Sequence, residues 1–491
     1  MSRSEKTVKH CRLQGKCGGC RYLNLPYGEQ LKKKKKDLGK LLSAYGTVED
    51  VIGCDEPYYY RNKVHHAFTR DRSGNIISGP YEANSHWILK CDICFIEDRK
   101  SQEIMHTIRD LIKKFKIRTY DEDRGTGVLR RVLIRRGFET NEIMVVLVIG
   151  SDFLPYSKAF VNALIKERPE ITTVVLNYNS KKTSMILGEK ETVLYGKGYI
   201  YDELCGKRFR ISSRSFYQVN SEQTRKLYDT AIELAALTKE DTVIDAYCGI
   251  GTIGICASDN AGKVIGVELN GDAVKDARIN AAENKTDNIE FYNDDAGIFM
   301  QKMAKEGKKA DVVFMDPPRS GSTVKFMASM IKMSPDRIVY ISCEPTSLAR
   351  DLKYLTTHGY KCEKIKPVDM FPNTVHVESI VLLSHKSPDS HIDVKVEFGE
   401  GEEKVPLDKI AERAKQYQPA PRVTYKMIQE YIEEKYGFKV HTAYIAEVKR
   451  NLGLPMYDAP NMVEELKQPR RHPTAEKVEA IKDALKHFGV I

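Results

Sequence analysis

Hydrophobic residues along this chain follow patterns that change from one segment to the next. Between residues 51 and 206, short apolar runs such as residues 143–149 and 174–176 alternate with turns rich in Gly, Asn and Asp. Runs of this length bounded by turn residues are typical of strands. The segment therefore predicts a strand-rich α+β domain built on a mostly antiparallel sheet.

From residue 207 to residue 385, segments that predict strands alternate with segments that predict helices. The predicted strands are residues 242–245, 264–268, 310–315, 337–342 and 377–383, and the predicted helices include residues 252–257 and 273–284. Repeated strand–helix units are typical of a parallel sheet with helices on both faces. This part of the chain therefore predicts an α/β, Rossmann-like domain with a ligand site at a strand's carboxyl end.

The two ends of the chain differ from these segments. Residues 1–50 combine a short cysteine-rich segment with a basic helix, whose lysines at residues 32–36 form either a solvated face or an RNA-backbone contact. Residues 386–405 are polar and predict a linker. Apolar residues at helical spacing in residues 406–491 predict a small helical extension with a helix-turn-helix-like unit. For this extension, nucleic-acid binding and a structural or protein-contact role both remain open.

Length and composition narrow the class of protein. With 491 residues the chain is too long for one ordinary core, and its 41% hydrophobic and 30% charged residues are typical of a soluble globular protein. No apolar run approaches the roughly 20 residues of a membrane helix, and residues 1–6 lead into no apolar signal region, so a cytoplasmic protein is expected. A net charge of +10 favours a polyanionic partner without identifying it.

A glycine-rich turn at residues 245–251, Asp-Ala-Tyr-Cys-Gly-Ile-Gly, follows one predicted strand and precedes a helix. Glycines at such a turn let the backbone approach a ligand closely. Glu268 ends the next strand, where a carboxylate can bind both ribose hydroxyls. No full dinucleotide fingerprint and no phosphate-loop lysine is present, so S-adenosyl-L-methionine fits better. A tight turn with purely structural glycines is the alternative.

A carboxylate and a basic residue flank two prolines at residues 316–319, Asp-Pro-Pro-Arg. The prolines stiffen the backbone as it leaves a strand, so Asp316 is expected to face cofactor and substrate. Amino-group methyltransferases often place an aromatic residue after the two prolines. Arg319 stands there instead, which argues against that class.

Cys343 and Glu378 suggest covalent chemistry on a pyrimidine, whose carbon 5 is too poor a nucleophile to react unaided. A thiolate that adds to carbon 6 creates an enolate, and a general base must later remove the proton from carbon 5. Cys343 lies between a predicted strand and helix, where the helix dipole can lower its pKa. Glu378 opens an apolar strand and is either this base or an exposed edge charge.

Five motifs resemble those of the RNA 5-methyluridine methyltransferase family, of the 23S rRNA uracil-5-methyltransferase type. They occur in the family's order at residues 215–220 (Ser-Phe-Tyr-Gln-Val-Asn), 245–251, 316–319, 342–345 (Ser-Cys-Glu-Pro) and 376–378 (His-Val-Glu). The resemblance covers residues 11–383.

The resemblance implies a role for each matching residue. Cys343 would be the nucleophile and Glu378 the base, while the contacts to S-adenosyl-L-methionine would come from Gln218, Tyr247, Glu268 and Asp316. It also implies that the central domain helps bind RNA, because residues 60–63, Tyr-Arg-Asn-Lys, match a family segment there.

The chain has 11 cysteines, an odd number, so they are expected to be free thiols, metal ligands or a nucleophile rather than a disulfide framework. Cys11, Cys17 and Cys20 are spaced closely enough to hold zinc or an iron–sulfur cluster, with Cys91 or Cys94 as fourth ligand. The resemblance favours a [4Fe-4S] cluster and Cys94, because the residues after Cys94 match the family better. Zinc and free thiols remain alternatives, and a structural or RNA-shaping role is expected.

Several alternatives for function remain open. The family members that carry these cysteines act on ribosomal RNA, so 23S rRNA is the expected substrate, with transfer RNA as the alternative. An RNA cytosine-5 methyltransferase would use the same thiolate chemistry, and a protein of another class would bind RNA without catalysis. The sequence does not fix the oligomeric state, although a monomer is expected.

Overall fold

The computed structural model describes residues 8–183, 185–385, 424–452, 472–488 and 490. The chain divides into two compact units, Met1–His391 and Ile392–Ile491. The predicted linker at residues 386–405 lies outside the described residues. Across the residues described, no helix has both the length and the apolar character needed to cross a membrane.

The first unit begins with a helix and continues into a six-stranded sheet. The elements are α1 (Tyr27–Leu42), β1 (Lys63–Arg70), β2 (Ile76–Gly79), α2 (Arg99–Lys114), β3 (Leu129–Arg136), β4 (Ile143–Ile149), α3 (Ser157–Glu167), β5 (Ile171–Tyr178) and β6 (Lys190–Tyr195). The strand order is β2-β1-β3-β4-β5-β6, and only the β4–β5 pair is parallel. The predicted mostly antiparallel, strand-rich domain is confirmed.

Alternate residues of this sheet face two different environments. Val64, Val132 and Ile134 pack into a buried cluster that also contains apolar residues of α2 and α3. Leu133 and Met144 have the opposite parity and join a second cluster shared with the rest of the unit. The helices therefore cover one face of the six-stranded sheet and leave the other face turned towards the chain that follows.

The remainder of the first unit is a hairpin followed by a seven-stranded sheet. The elements are β7 (Tyr199–Leu204), β8 (Lys207–Ser212), α4 (Ser221–Ala235), β9 (Thr242–Ala246), α5 (Thr252–Ala257), β10 (Lys263–Glu268), α6 (Gly271–Glu283), β11 (Ile289–Asn293), α7 (Ala296–Lys305), β12 (Val312–Met315), α8 (Val324–Met333), β13 (Arg337–Ser342), α9 (Pro345–Thr357), β14 (Tyr360–Val368) and β15 (Glu378–His385). The sheet order is β11-β10-β9-β12-β13-β15-β14. The predicted α/β, Rossmann-like domain is confirmed.

The prediction of a wholly parallel sheet needs one correction. Strands β9 to β13 are parallel, but β15 runs antiparallel to both β13 and β14. A parallel pair requires a crossover connection, usually a helix, and no helix lies between β14 and β15. The chain therefore returns in the opposite direction and inserts β15 between its two neighbours.

The second unit contains three described helices, α10 (Tyr425–Tyr436), α11 (Thr442–Asn451) and α12 (Ala475–His487). Thr424 caps α10 by accepting from the Met427 N–H, and Gly437 ends it with a positive φ of 70°. Ile432, Ile445 and Ile481 are buried in a cluster built only from residues of this unit. The predicted helical extension is confirmed for these residues.

Candidate active site

The glycine-rich turn between β9 and α5 is held by a buried carboxylate. The Gly254 N–H donates to Asp245 Oδ2 at 2.8 Å, while Asp245 Oδ1 has no hydrogen-bond partner in the described chain. Gly249 and Gly251 adopt positive φ angles of 57° and 81°, which favour glycine. Burial raises the pKa of Asp245 to about 7, although the bond from Gly254 opposes the shift. The turn thus combines two glycines in conformations that favour glycine with a buried carboxyl group whose pKa is raised.

Glu268 lies beside the same turn, at the carboxyl end of β10. Its two oxygens accept from the Gly249 N–H at 3.1 Å and the Asn270 N–H at 2.7 Å. The next side chain, Leu269, is 71% exposed although it is apolar. A carboxylate next to an uncovered apolar side chain suits a ligand with a ribose and a flat ring. Nothing in the sequence pattern singled out Leu269, because its exposure is visible only in the fold.

Asp316 follows β12 and faces the residues after β9. Burial raises the pKa of Asp316 to about 7. Tyr228 on α4 lies within electrostatic reach of Asp316. Burial raises the pKa of Tyr228, and Asp316 raises it further. The Tyr228 hydroxyl also contacts the Thr252 hydroxyl at 3.1 Å. Sequence reasoning missed Tyr228, since it lies on a helix with ordinary amphipathic spacing.

Tyr247 and Gln218 complete the predicted cofactor residues. Tyr247 lies in the turn with φ of 66°, and its hydroxyl contacts the Ser322 hydroxyl at 3.2 Å. Gln218 is buried, and its backbone carbonyl oxygen accepts from Asn62 Nδ2 at 2.9 Å. Asp316 and Glu268 both affect the pKa of Asp245. The structure therefore places Glu268, Asp316 and Tyr247 at neighbouring strand ends and anchors the Gln218 segment on the central sheet.

Sheet register brings Cys343 and Glu378 together. Ser342, the last residue of β13, pairs with Ser379 of β15, so the adjacent residues Cys343 and Glu378 lie at the same level of the sheet. Neighbouring strands are about 4.8 Å apart. After the larger effect of burial, Glu378 also raises the pKa of Cys343. The register was not available from the sequence, because it depends on the reversed direction of β15.

Glu378 is a buried carboxyl group rather than an edge charge. It is 3% exposed, and its Oε2 atom has no hydrogen-bond partner within the described residues. Burial raises the pKa of Glu378 well above its usual range; Asp316 adds to the shift and Arg319 opposes it. A carboxylate with an unpaired oxygen and high proton affinity is suited to accept a proton.

The expected lowering of the Cys343 pKa is wrong for the chain without ligands. Cys343 is half-buried before α9, and burial raises its pKa to about 11. Glu378 and Asp316 raise it further, while Arg319 lowers it by less than any of these effects raises it. Two nearby carboxyl groups and burial therefore outweigh the position before a helix.

The loop between β14 and Glu378 is fixed to the N-terminal part of the chain. Lys34 on α1 is buried and donates to Asp369 and to the Phe371 carbonyl oxygen at 3.1 Å. Asn373 has a φ of 67°. The Gln30 side chain donates to Asn373 Oδ1 and accepts from the Asn373 N–H. Lys34 is thus neither part of a solvated face nor an RNA contact. Both predictions made for the lysines at residues 32–36 are therefore wrong for Lys34.

The predicted metal-ligating cysteines are neighbours of one another. Burial raises the pKa of Cys20 to about 12, and the thiols of Cys94, Cys17 and Cys11 add to this shift in that order. Cys91 is buried and forms a thiol hydrogen bond with Cys94. Within the described residues, no group of three or more His, Cys, Asp or Glu side chains is arranged to hold a metal ion. The donor atoms have the right chemistry for a thiolate-bound metal, without forming an enclosed site.

The parallel sheet, the glycine-rich turn and the carboxylates at its strand ends define an S-adenosylmethionine-dependent methyltransferase. A family model described as tRNA (Uracil-5-)-methyltransferase matches residues 187–386. An uncharacterized RNA methyltransferase of Halalkalibacterium halodurans is 42% identical over 382 residues, which are 77% of this chain and 83% of that protein. One of Clostridium tetani is 40% identical over 379 residues, 76% of this chain and 82% of that protein.

One solved methyltransferase structure is similar to this chain in both fold and sequence. The crystal structure of Pyrococcus abyssi tRNA (uracil-54, C5)-methyltransferase in complex with S-adenosyl-L-homocysteine is similar with a TM-score of 0.63 and 28% sequence identity, covering 77% of this chain and 88% of that chain. The chain belongs to the RNA (uracil-5-)-methyltransferase family. It is therefore an enzyme that uses S-adenosylmethionine as methyl donor.

Proposed function

We propose that this enzyme methylates carbon 5 of a uridine in 23S ribosomal RNA through a covalent cysteine–uracil intermediate. The observation that carries the proposal is the register that sets Cys343 beside the buried Glu378, with Asp316 in electrostatic reach of both. The N-terminal cysteines support ribosomal RNA, since the resemblance that they contribute is to that type. The proposal also includes a monomeric enzyme located in the cytoplasm.

In this mechanism the Cys343 thiolate adds to carbon 6 of the uracil and pushes electrons towards oxygen 4. Carbon 5 would then take the methyl group from the sulfonium sulfur of the bound donor, which would leave as S-adenosyl-L-homocysteine. One difficult substitution thereby becomes two easier steps. Glu378 removes the proton from carbon 5, and the electrons of that bond expel the Cys343 sulfur. The high proton affinity of Glu378 favours the last transfer.

Arg319 is proposed to favour the charged forms of Cys343 and Glu378. It is the cation that lowers the pKa of both Cys343 and Glu378, against larger effects of burial. Its charge would favour the thiolate needed for the first step. Without this cation the pKa of both groups would be higher still.

The proposed cofactor contacts follow the strand ends. Glu268 retains free lone pairs for ribose hydroxyls beside the two backbone N–H groups that orient it. Tyr247 lies in the same turn and Asp316 at the end of the neighbouring strand, while Asn62 of the central sheet binds the Gln218 backbone. When bound, the donor supplies an electrophilic methyl group, and these residues orient it towards the uracil.

A [4Fe-4S] cluster on Cys11, Cys17, Cys20 and Cys94 is the proposed metal group. Cys94, rather than Cys91, has the largest charge effect of any thiol on Cys20, which supports it as fourth ligand. The cluster would hold the N-terminal segment to the central sheet and takes no part in a catalytic step. Zinc is the alternative occupant of the same thiols.

A transfer RNA substrate is the second candidate. The similar Pyrococcus abyssi enzyme is named as a tRNA (uracil-54, C5)-methyltransferase, and it covers 77% of this chain. The reaction and the residues would stay the same, and only the RNA would differ.

The proposal predicts label in 5-methyluridine when the anaerobically purified enzyme, labelled S-adenosylmethionine and total RNA from a strain lacking this protein are combined. Nucleoside analysis of each RNA size class gives the substrate, and iron and sulfide analysis of the same preparation tests the cluster. Cys343→Ala should abolish label, whereas Cys362→Ala, at a buried cysteine on β14, should not. Label in transfer RNA would replace the substrate, label in 5-methylcytidine would replace the reaction, and no label would favour RNA binding without catalysis.

A further inference from the structure

Two thiols that the proposed mechanism does not use lie together where the β7–β8 hairpin meets α5. The Cys256 Sγ atom contacts the Leu204 carbonyl oxygen at 3.8 Å, and the next residue after Leu204 is Cys205. Hydrogen bonding with Cys205 raises the pKa of Cys256 well above its usual range, and burial raises it further. The two sulfur atoms are therefore within hydrogen-bonding distance of each other. We call Cys205 and Cys256 the thiol pair.

Cys205 occupies a strained position in the tight turn of this hairpin. Leu204 pairs with Lys207, so Cys205 and Gly206 alone connect the two strands. Both residues have positive φ angles, of 51° and 71°. Two-residue turns of this kind favour asparagine or glycine, because other side chains are strained at positive φ. The turn itself therefore does not favour a cysteine, and such strain is typical of residues with a function.

An ion pair beside the thiol pair holds the hairpin against the end of α5. Lys207 Nζ lies 2.7 Å from Asp259 Oδ1, and Asp259 is two residues beyond the end of α5. Lys207 also lowers the pKa of Cys256, against the larger effects of Cys205 and of burial. The two sulfur atoms are therefore kept near each other by the elements on both sides.

The two members of the thiol pair differ in accessibility. Cys256 is 7% exposed, whereas Cys205 is partly exposed. Cys205 also lines a cavity of about 290 Å³, together with residues such as Glu203 and Arg225. A cavity of this volume holds several molecules of the size of water. A small oxidant can therefore reach Cys205 while Cys256 stays covered.

We propose that the thiol pair is an oxidative modification site, which a hydroperoxide converts into a disulfide that weakens the binding of S-adenosylmethionine. Hydrogen peroxide transfers one oxygen atom to the Cys205 sulfur, which becomes a sulfenic acid, and the rest of the peroxide leaves as water. The Cys256 sulfur then bonds to the Cys205 sulfur as the sulfur–oxygen bond breaks. The departing hydroxide takes the Cys256 proton and forms a second water. The two thiols lose two electrons in total, and the peroxide gains them.

The disulfide acts on the cofactor site through α5, which begins directly after the glycine-rich turn. A covalent bond is shorter than the contact between two thiols, so its formation draws Cys256 towards the hairpin. Gly254 lies on the same helix, and its N–H donates at 2.8 Å to Asp245, the first residue of the turn. Close-packed interiors transmit such shifts, so a displacement of α5 distorts this hydrogen bond. The turn then binds the cofactor less tightly.

Peroxide treatment of the anaerobically purified, full-length protein tests the site. After free thiols are alkylated, the tryptic peptides 198–207 and 240–263 should be linked, and fragmentation should assign the bond to Cys256 rather than to Cys248 of the same peptide. Calorimetric titration with S-adenosyl-L-homocysteine should give a dissociation constant about tenfold higher than before treatment, since small displacements at a site can have effects of this size. Dithiothreitol should separate the peptides and restore the affinity.

Two variants distinguish this effect from other oxidations. Cys205→Ser keeps a small polar side chain in the turn but cannot form the disulfide, so peroxide should leave its affinity for S-adenosyl-L-homocysteine unchanged. Cys362→Ser, at a buried cysteine on β14, should respond to peroxide like the unmodified protein. Both variants retain Cys343 and the N-terminal cysteines, so oxidation at those residues affects all three proteins equally.

Three results would overturn the proposal. The first is the absence of the linked peptides at peroxide concentrations that convert Cys343 to its sulfenic acid. The second is a complete disulfide with unchanged affinity for S-adenosyl-L-homocysteine. The third is an equal loss of affinity in Cys205→Ser, which would assign the effect to another cysteine. None of these measurements uses RNA, so failure of this proposal is distinct from failure of the proposed RNA substrate.

Discussion

At the scale of single residues, burial and two carboxyl groups far away in the sequence raise the pKa of the candidate nucleophile. Asp316 and Glu378 lie 27 and 35 positions from Cys343, and both raise its pKa. Arg319 is the cation that opposes them. The free enzyme thus keeps Cys343 protonated, and ligand binding must change this balance before the thiolate can react.

The pH dependence of methylation tests the role of Arg319. Arg319→Gln removes a charge that lowers the pKa of both Cys343 and Glu378, so both pKa values should rise. Both groups act in their deprotonated forms, so the rate rises with pH, and the variant's profile should move to higher pH. Its kcat/KM at neutral pH should be roughly tenfold lower for each pKa unit of displacement.

The matched control is Lys353→Gln, at an exposed lysine on α9, the helix that follows Cys343. Its pH profile should coincide with that of the unmodified enzyme. A rate loss in Arg319→Gln that is equal at every pH would mean that Arg319 binds substrate rather than tuning the two acids.

The sequence identifies the residues of the candidate site better than it identifies their electrostatics. Residue types and order were enough to single out Cys343 and Glu378, because covalent pyrimidine chemistry needs a thiol and a base. The sign of the Cys343 pKa shift was predicted wrongly, since burial and Glu378 act through the folded sheet. The burial of Lys34 within a run of five lysines was hidden for the same reason: its partner, Asp369, is 335 positions away.

At the scale of elements, α1 serves as a support for the loop that leads to Glu378. Lys34 and Asp369 are both almost fully buried, and burial moves the pKa of each towards its neutral form. Tyr27 also donates to Asp369 at 2.8 Å. Only the contact between these groups offsets the cost of removing them from water.

Lys34→Met should therefore lower the free energy of unfolding by about 3–5 kcal/mol, because Asp369 is left buried without its cation. Urea denaturation of the full-length chain measures the change. Lys36→Met, on the exposed side of the same helix, should cost less than about 0.5 kcal/mol. Lys34→Met with Asp369→Asn should recover part of the loss, since asparagine is neutral. Equal free energies of unfolding for Lys34→Met and Lys36→Met would contradict a buried ion pair.

Element types were predictable from the sequence, while the direction of the last strands was not. Apolar segments located β9, β10, β12, β13 and β15 closely. Strand β14 was missed because lysine and glutamate alternate with its apolar residues, as expected near a sheet edge. The antiparallel return of β15 leaves no trace in its composition, yet it determines that Glu378 lies beside Cys343.

At the scale of the whole molecule, the two compact units have separate hydrophobic cores. Every residue of the candidate site lies in Met1–His391. The two relatives described above match 77% and 76% of this chain and leave about a quarter of it unmatched. The chemistry should therefore not require the second unit, whose own role as a nucleic-acid-binding or structural extension is open.

A chain truncated after residue 391 should keep the turnover number at saturating RNA within about twofold, because every proposed site residue lies in Met1–His391. Its KM for RNA decides the role of the extension. An increase accompanied by a weaker salt dependence of RNA affinity would support nucleic-acid binding there, because lysines and arginines that contact phosphates would be lost. An unchanged KM would support a structural or protein-contact role. A large loss of turnover, with the thermal unfolding of the remaining unit unchanged, would instead show that the reaction requires the second unit.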